Sequence, residues 1–388
     1  MKNSVGQAVR GENFWDRKNE LASIWSAIES GSHILLVAPR RVGKTSIMFN
    51  MQDKPKGGYI VVYVNTESAE SENEFWQKLF NALIEEEFIN KLKIYSKQFW
   101  TFLTSIKIKK VSTKGVEFGD GVLTDYASAF ERLIKALDSD KKLIIMIDEF
   151  AQTVENIIKY EDEKDAQSFL RTHRAIRQNS TLSNNVTFVY AGSIGLESVV
   201  AKMNATKLIN DLNSIKVNPL TLEAAQIFTQ KLCKSVSIEM SSDMVILLLK
   251  KIEWLIPFYV QLLIQELKTL SRECQCNVID VDMIETAMQR AINHPHLFAN
   301  WRSKLREGFK TEGYLFSKEI LNRISEDGTM TSLKIRNIST KHGLDDDYAK
   351  EIIHSLVYDG YINNHDDIKT YRFNSPILKL WWYKNVAN

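Results

Sequence analysis

The segment of residues 38–46 reads Ala-Pro-Arg-Arg-Val-Gly-Lys-Thr-Ser, a pattern typical of a phosphate-binding loop. Gly43 lets the backbone approach a phosphate closely, the charge of Lys44 reaches the β and γ phosphates, and the Thr45 hydroxyl is a ligand for Mg²⁺. We therefore predict a site for a nucleoside triphosphate and Mg²⁺. The predicted nucleotide-binding residues of this segment are Pro39, Arg40, Arg41, Val42, Gly43, Lys44, Thr45 and Ser46.

The flanking residues supply the elements that such a loop requires. Residues 33–37 are an apolar run that predicts a buried strand, and residues 47–51 predict a helix. A strand, a tight loop and a helix place the first backbone N–H groups of the helix, and the positive end of its dipole, against the phosphates. A chance Gly-Lys-Thr is the alternative, and this strand–helix context disfavours it. The pattern usually begins with glycine, and Ala38 stands there instead.

A second strand ends in two carboxylates. Residues 142–147 are largely apolar, as in a strand buried on both faces of a parallel sheet, and Asp148 and Glu149 follow. Open α/β sheets bind ligands at the carboxyl ends of their strands. We predict that Asp148 binds Mg²⁺ and that Glu149 polarises the attacking water. The alternative is an acidic helix start after a core strand.

Two further features give candidates for sensing phosphate. A strand predicted at residues 186–191 is followed by Ser193, which we interpret as a sensor of the γ phosphate, with a plain turn serine as the alternative. Arg171, Arg174 and Arg177 follow one another at a spacing of three and share one helix face. That face is either a solvated surface, which we favour, or the source of an arginine finger for a neighbouring subunit.

Composition indicates a globular protein of two or three domains. Of 388 residues, 44% are hydrophobic and 25% are charged. The net charge is +2, so the overall electrostatic field of the protein does not favour nucleic-acid binding. Three cysteines suit a reducing cytoplasm. The N-terminal residues lack the apolar core of a signal peptide. Charged residues interrupt the longest apolar stretch, residues 244–267, so we expect no membrane helix.

A basic and aromatic insertion is expected at about residues 88–120. Residues 88–116 contain lysines but no acidic residue, and they predict a helix followed by a β-hairpin with its turn at Lys114 and Gly115. Single-stranded nucleic acid, a protein partner, or an amphipathic helix with solvated lysines all remain open. The lysines are Lys91, Lys93, Lys97, Lys107, Lys109, Lys110 and Lys114.

The remaining chain predicts two C-terminal domains after a core at residues 1–218. Residues 219–296 are helical and leucine-rich, as expected of a lid, and residues 297–388 have the rhythm of a winged helix: three helices, then two strands around a polar loop at 363–367. Residues 311–388 hold ten Lys and Arg and eleven Asp and Glu, a net charge of −1. Inserting the third helix into DNA would oppose phosphate charge, so we expect protein contacts there.

These motifs together resemble one known family. Residues 14–20 (Phe-Trp-Asp-Arg-Lys-Asn-Glu) are similar to the N-terminal signature of the STAND class of P-loop NTPases. With the phosphate loop, Asp-Glu-Phe at 148–150, Ala-Gly-Ser at 191–193 and the tail at 371–376, the chain resembles the archaeal-type ATPases of that class, which are related to AAA+ and origin-recognition ATPases.

The resemblance implies an α/β core with an additional strand, in which the Ser193 strand lies between the phosphate-loop strand and the Asp148 strand. It also implies that Arg17 and Pro257 lie around the base and ribose of ATP. Asp16 and Lys18 stand where the signature has other residues.

We therefore expect a Mg-ATP-dependent molecular switch in the cytoplasm that hydrolyses ATP to ADP and phosphate, slowly or with partner stimulation. Its catalytic residues would be Lys44, Glu149 and Ser193. Such switches act through homo-oligomers or a separate effector protein, and by resemblance the setting is antiviral defence or defence against mobile elements. The alternative is a DNA-transaction motor or loader that binds nucleic acid through the Lys91–Lys114 region.

Overall fold

A computed structural model describes residues 1–85, 108–112, 115–118, 125–135, 141–193 and 195–387. The chain divides into two compact units. The first, here called the sheet unit, comprises Arg17–Val37 and Lys44–Val217. The second, the helical unit, comprises Met1–Asp16, Ala38–Gly43 and Asn218–Asn388. The helical unit therefore includes the N-terminal residues and most of the predicted phosphate loop.

The strands of the sheet unit form a five-stranded parallel sheet and a separate hairpin. They are β1 (Ile34–Val37), β2 (Tyr59–Asn65), β3 (Ile108–Ser112), β4 (Gly115–Phe118), β5 (Lys142–Asp148), β6 (Val186–Tyr190) and β7 (Asn213–Lys216). The order across the sheet is β2-β5-β6-β1-β7. The predicted position of β6 between β1 and β5 is confirmed, and so is the α/β fold class.

The helices of this unit cover a sheet whose inner strands are apolar on both faces. They are α1 (Lys18–Glu29), α2 (Lys44–Asp53), α3 (Glu72–Ile84), α4 (Tyr126–Lys135), α5 (Phe150–Tyr160), α6 (Glu163–Gln178), α7 (Ser180–Ser183) and α8 (Leu196–Lys202). All five residues of β6 are buried, and in β5 only Lys142 is exposed. A strand buried on both faces needs helices on both sides, which these alternating elements supply.

A fully buried histidine lies in the aromatic part of this core. The His173 ring stacks on Trp76 with centroids 4.7 Å apart, and it meets Phe75, Phe150 and Phe169 edge-on. Its Nδ1 lies 3.1 Å from the hydroxyl of Tyr190. Burial lowers the pKa of His173 well below its ordinary value, so the ring is neutral in the folded protein.

The α-helices and β-strands of the helical unit follow Asn218. Its helices are α9 (Leu222–Val236), α10 (Ser242–Ile252), α11 (Pro257–Cys274), α12 (Val281–Ala291), α13 (Pro295–Glu307), α14 (Thr311–Asp327), α15 (Ser332–Lys341), α16 (Asp346–Tyr358) and α17 (Pro376–Trp382). Its strands are β8 (Thr329–Thr331), β9 (Ile362–Asp367) and β10 (Thr370–Phe373). Side chains cap many helix starts, as Thr221 does for α9 at 3.2 Å from the Ala224 amide.

Residues Asn218–Asn388 stay within one compact unit, and Phe298 of α13 packs both on Phe258 of α11 and on Trp381 of α17. The predicted boundary between residues 296 and 297 falls inside the first turn of α13. The division into a lid at 219–296 and a C-terminal domain at 297–388 remains a prediction.

The polar loop predicted at residues 363–367 is wrong, because these residues belong to β9. β9 pairs antiparallel with β10, which also pairs with β8, a strand that the sequence pattern did not indicate. The Asn363 amide is buried and donates to Asn374 Oδ1 at 2.9 Å, which satisfies a polar side chain inside the sheet. Polarity therefore misled the interpretation of this segment.

The predicted hairpin of the insertion is present as β3 and β4, which pair antiparallel from Ile108↔Phe118 to Ser112↔Gly115. The basic helix predicted before it, the lysines from Lys91 to Lys107, and Lys114 of the predicted turn lie outside the described residues. Within the described ranges, every helix is too short or too polar to cross a membrane.

The buried His173 predicts acid sensitivity. In the unfolded chain its pKa returns to about 6.5, so below that pH the unfolded state binds a proton that the folded state excludes, and stability falls by about 1.4 kcal/mol per pH unit until the folded pKa is reached. Urea unfolding at pH 7.5 and 5.5 measures this loss. The variant His173→Phe is expected to lose less stability between these pH values, whereas a variant of the exposed His354, His354→Phe, should follow the wild type. An equal loss in His173→Phe would contradict this assignment.

Candidate functional site

The phosphate-loop segment lies between β1 and α2 and has a backbone that favours glycine at two positions. Gly43 has φ +111° and Arg41 has φ +63°, both in the left-handed region. A Cβ at Gly43 would meet no atom within 4 Å, so the backbone conformation rather than space explains the glycine. Helix α2 begins at Lys44, three residues before the helix predicted at 47–51. The predicted strand and helix around the loop are both confirmed.

Asp148, at the end of β5, is almost completely buried, and its carboxylate accepts hydrogen bonds from three groups. The Thr45 hydroxyl donates to its Oδ2 at 2.7 Å and the Tyr63 hydroxyl to the same oxygen at 3.0 Å. The backbone N–H of Glu149 donates to Oδ1 at 3.1 Å. Burial raises the pKa of Asp148, while the bonds from Thr45 and Tyr63 oppose this shift. The carboxylate is therefore fixed in orientation.

The contact between Thr45 and Asp148 suits a divalent cation. Mg²⁺ prefers oxygen ligands, and proteins usually bind it through one or two carboxylates together with oxygens of the phosphate substrate. A hydroxyl and a carboxylate 2.7 Å apart supply oxygens of that kind. These two predicted metal ligands are brought together, and the donor set fits Mg²⁺.

Glu149 and Ser193 also meet. Glu149 Oε2 accepts a hydrogen bond from the Ser193 backbone N–H at 2.9 Å and another from the Ser193 hydroxyl at 2.8 Å. Glu149 itself has φ +59° and precedes the first residue of α5. The backbone joins the two strand ends as well, because the Phe150 N–H donates to the Ala191 carbonyl at 3.0 Å. The predicted base and the predicted sensor therefore form one hydrogen-bonded pair.

Arg177 is not part of a solvated arginine face, which corrects that interpretation. Its side chain is buried and donates to both carboxylate oxygens of Asp211, at 2.7 and 2.8 Å, and to the Leu208 carbonyl at 2.8 Å. A buried guanidinium requires such partners, because leaving the charge unpaired would cost several kcal/mol, about 3–5. Arg177 therefore stabilises the core and does not extend toward a neighbour.

The other two arginines of α6 differ from Arg177. Arg171 donates to Gln167 at 3.0 Å and Arg174 donates to the Lys207 carbonyl, both in exposed surroundings. The periodicity of α6 explains the difference. Its buried face contains Phe169, His173 and Ile176, and Arg177 lies on the same face. Whether Arg171 or Arg174 acts as an arginine finger remains a prediction.

The two residues predicted around the base belong to different units. Arg17 lies in the sheet unit, where it is buried, has φ +74° and donates to Glu20 at 2.9 Å. Pro257 lies in the helical unit, where it is the first residue of α11. A proline suits this position because the first turn of a helix needs no N–H donor from it. The joint role of Arg17 and Pro257 at a base remains a prediction.

The loop residues before Gly43 pack within the helical unit. Val42 is buried, and Pro39 and Arg40 are half-buried. The Arg41 guanidinium lies over the Phe258 ring, 3.9 Å from its centroid, and burial lowers the pKa of Arg41 to about 10. At neutral pH Arg41 therefore keeps its charge.

Sequence reasoning missed Tyr63. Its ring packs edge-on against Phe49 of α2 with centroids 4.8 Å apart, and its hydroxyl donates to Asp148. Burial beside Asp148 raises the pKa of Tyr63, so the hydroxyl keeps its proton and remains a donor. The β2 pattern gave no sign of this role, because the contact depends on the parallel register that pairs Tyr63 with Met146 and Asn65 with Asp148.

A parallel sheet in the order β2-β5-β6-β1-β7, a phosphate-loop motif after β1 and a carboxylate pair after β5 are the fold and the motifs of a P-loop NTPase. Residues 14–252 match the model of an ATPase domain family found predominantly in Archaea, and the chain belongs to this family. None of the curated protein sequences compared with the chain matches it.

Solved structures with a similar fold include a Walker-type ATPase and an ORC2 protein. A Walker-type ATPase of Pyrococcus abyssi superposes with a TM-score of 0.69 at 16% identity, covering 98% of this chain and 99% of that one. The ORC2 protein of Aeropyrum pernix, solved in ADPNP and ADP complexes, gives a TM-score of 0.56 at 10% identity, covering 99% of this chain and 100% of that one. At these identities the similarity concerns the fold alone.

Tyr63→Phe tests the support of Asp148. The variant removes one hydrogen bond to a carboxylate and keeps the ring, so we expect the ATP affinity measured with Mg²⁺ to fall by about three- to tenfold. The affinity measured in EDTA should stay unchanged, because the phosphate contacts do not involve Tyr63. Fluorescent-nucleotide titration in both buffers measures the difference, with Tyr59→Phe on the same strand as the matched control. An equal loss in both buffers would indicate a general packing defect.

Proposed function

We propose that this protein is a Mg-ATP-dependent molecular switch that hydrolyses ATP to ADP and phosphate. One observation carries the proposal: Thr45 contacts Asp148, and Ser193 contacts Glu149, at the carboxyl ends of neighbouring parallel strands. Ligands of open α/β sheets bind at this edge of the sheet. Strand β1 runs parallel to β6, so the phosphate loop also begins at that edge.

The phosphates would be bound by backbone N–H groups at the start of α2 and by Lys44. Lys44 begins this helix and is buried, so its charge is little screened by solvent. Thr45 and Asp148 would hold Mg²⁺, which supplies charge neutralisation between the β and γ phosphate oxygens. The protein's own contribution at this point is orientation, since Tyr63 and the Glu149 N–H fix the Asp148 carboxylate.

Glu149 would act as the general base for the attacking water. Glu149 Oε2 accepts hydrogen bonds from both the backbone N–H and the hydroxyl of Ser193, which orient this oxygen and occupy positions at which it would accept a proton from water. We therefore propose that Ser193 restrains Glu149 when the γ phosphate is absent. When a phosphate oxygen accepts the Ser193 hydroxyl instead, Glu149 is released to accept a proton from water. Binding of the γ phosphate and activation of Glu149 would then be coupled through the Ser193 side chain.

The output of the switch would be a change in assembly or in a protein partner. Residues 219–296 would act as a lid, and residues 297–388, with helices α14–α16 and the sheet β8-β10-β9, as a winged helix. Membership of the STAND class and a role in antiviral or mobile-element defence are supported by sequence resemblance. Exposed Arg171 and Arg174 would be the candidates for contact with a neighbouring subunit.

The winged-helix region is proposed to contact protein rather than DNA. The N-terminus of α16 carries Asp345, Asp346 and Asp347, and the first of them caps the helix through bonds to two backbone N–H groups. Asp346 pairs with Arg336 at 2.8 Å, so a basic residue of α15 is already neutralised. The alternative of a DNA motor or loader depends on the Lys91–Lys114 region, of which the structure describes residues 108–112.

The solution mass of Glu149→Gln tests the switch. This variant is expected to bind Mg-ATP without hydrolysing it, so the ATP-bound state persists during light scattering after size exclusion. We expect a mass above that of a 44.7 kDa chain with Mg-ATP and a lower mass with Mg-ADP. Lys44→Ala, which removes the phosphate contact, should show the lower mass with either nucleotide.

An identical mass with ATP and ADP would exclude self-assembly as the output.

The same experiment tests Arg171 and Arg174 separately as contacts in the assembled state. Arg171→Ala and Arg174→Ala, each combined with Glu149→Gln, should reduce the ATP-dependent mass if that residue contacts a neighbouring subunit. Arg177 is unsuitable for this series because its removal would leave Asp211 without its buried partner.

A further inference from the structure

The phosphate loop touches the C-terminal part of the chain inside the helical unit. Gly360, between α16 and β9, has φ +84°. A Cβ built there would lie 2.9 Å from Pro39 Cβ and 2.5 Å from Cη2 of Trp254. Real Cβ atoms do not approach other atoms so closely, so a side chain at this position would displace one of its neighbours. Gly360 therefore permits a close contact among three segments that are distant in sequence.

A second contact fixes the same loop from α11. The Arg41 guanidinium lies 3.9 Å from the centroid of Phe258, and Arg41 holds a left-handed backbone conformation, which is costly for a residue with a side chain. Such a conformation persists where surrounding contacts determine it. Phe258 lies in the first turn of α11 next to Tyr259, which itself packs against Trp254 with ring centroids 6.1 Å apart. The contacts to Pro39 and Arg41 are thus connected.

An ion-pair bridge fixes the position of Trp254. Arg372 of β10 donates to Glu253 at 2.6 Å and to Asp366 of β9 at 2.6 Å. Glu253 immediately precedes Trp254 and has φ +55°. The loop after α10 is therefore joined to the β9–β10 strands at the same place where Trp254 meets Gly360 and Pro39.

We propose that Gly360 and Trp254 are positioning residues for the phosphate-binding loop, so that nucleotide affinity depends on how the C-terminal strands pack against Pro39. This inference rests on the proposed function, because it assigns a task to the loop only if the loop binds phosphate. Coupling of this kind is reciprocal: a nucleotide that fixes the loop also favours the packed arrangement of Trp254 and Gly360, and a partner that displaces the C-terminal strands weakens nucleotide binding. The switch would thus have a mechanical connection between its ligand and its C-terminal region.

The test is the affinity of Gly360→Ala for fluorescent ATP and ADP. The new methyl group should displace Pro39 or Trp254 and lower both affinities by about tenfold or more. Gly343→Ala is the matched control, since Gly343 has φ +67° but meets nothing within 4 Å. The control carries the backbone strain without the collision, and we expect its affinities to stay within about twofold of wild type.

A rescue distinguishes positioning from a general loss of structure. Phenylalanine lacks the Cη2 and Cζ2 atoms that the new methyl group would meet, so Gly360→Ala/Trp254→Phe removes the closest collision, keeps the approach to Pro39, and should regain part of the lost affinity. Melting temperatures identify variants that fail to fold. If Gly360→Ala does not fold, Arg372→Ala, which breaks the bridge to Glu253, must lower the affinities in its place.

Three outcomes decide the matter. Weaker binding in Gly360→Ala with recovery in the double variant supports the proposal. Wild-type affinity in a folded Gly360→Ala, or in Arg372→Ala where it is the variant tested, overturns it. Absence of nucleotide binding by the wild type would instead reject the proposed function, and this inference with it.

Discussion

The parallel pairing of β5 with β6 is the constraint on which the candidate site depends. Its ladder continues past the strands, because the Ala191 N–H donates to the Ile147 carbonyl at 2.9 Å and the Phe150 N–H donates to Ala191. This register places Glu149 against Ser193. In the same way, the pairing of β2 with β5 places Tyr63 against Asp148. A shift of one residue would turn each side chain to the opposite face of the sheet and remove every one of these contacts.

Much of this core could be predicted because its signals are local. The apolar run at 143–147 predicts a strand buried on both faces, the largely apolar residues 186–191 predict another strand, and the Gly-Lys-Thr spacing predicts the loop with a helix after it. The strand order, however, came from resemblance to a family, since apolar runs do not state which strands are neighbours. The hydroxyl of Thr45 and the carboxylate of Asp148 could be assigned from residue type, while their 2.7 Å contact required the fold.

Two of the errors share a physical cause: polarity was taken as exposure. Arg177 follows the same spacing as Arg171 and Arg174, yet Asp211 accepts two hydrogen bonds from it and neutralises its buried charge. Asn363 was interpreted as a loop residue, but it lies in β9, where its buried side chain bonds to Asn374. Tyr63 was missed for a different reason, because its residue type does not mark its hydroxyl as a donor to Asp148. In each case a partner distant in sequence decides the environment, and a single sequence does not reveal that partner.

The release of phosphate from Mg-ATP by wild type and by Glu149→Gln tests the central claim most directly, with ATP affinity measured on the same samples. If Glu149 is the general base, Glu149→Gln should release phosphate about a hundredfold more slowly or worse while its ATP affinity stays close to wild type. Lys44→Ala, which loses the phosphate contact, should neither bind nor hydrolyse. Equal rates of phosphate release in wild type and Glu149→Gln would contradict the account, because the carboxylate paired with Ser193 would then have no part in hydrolysis.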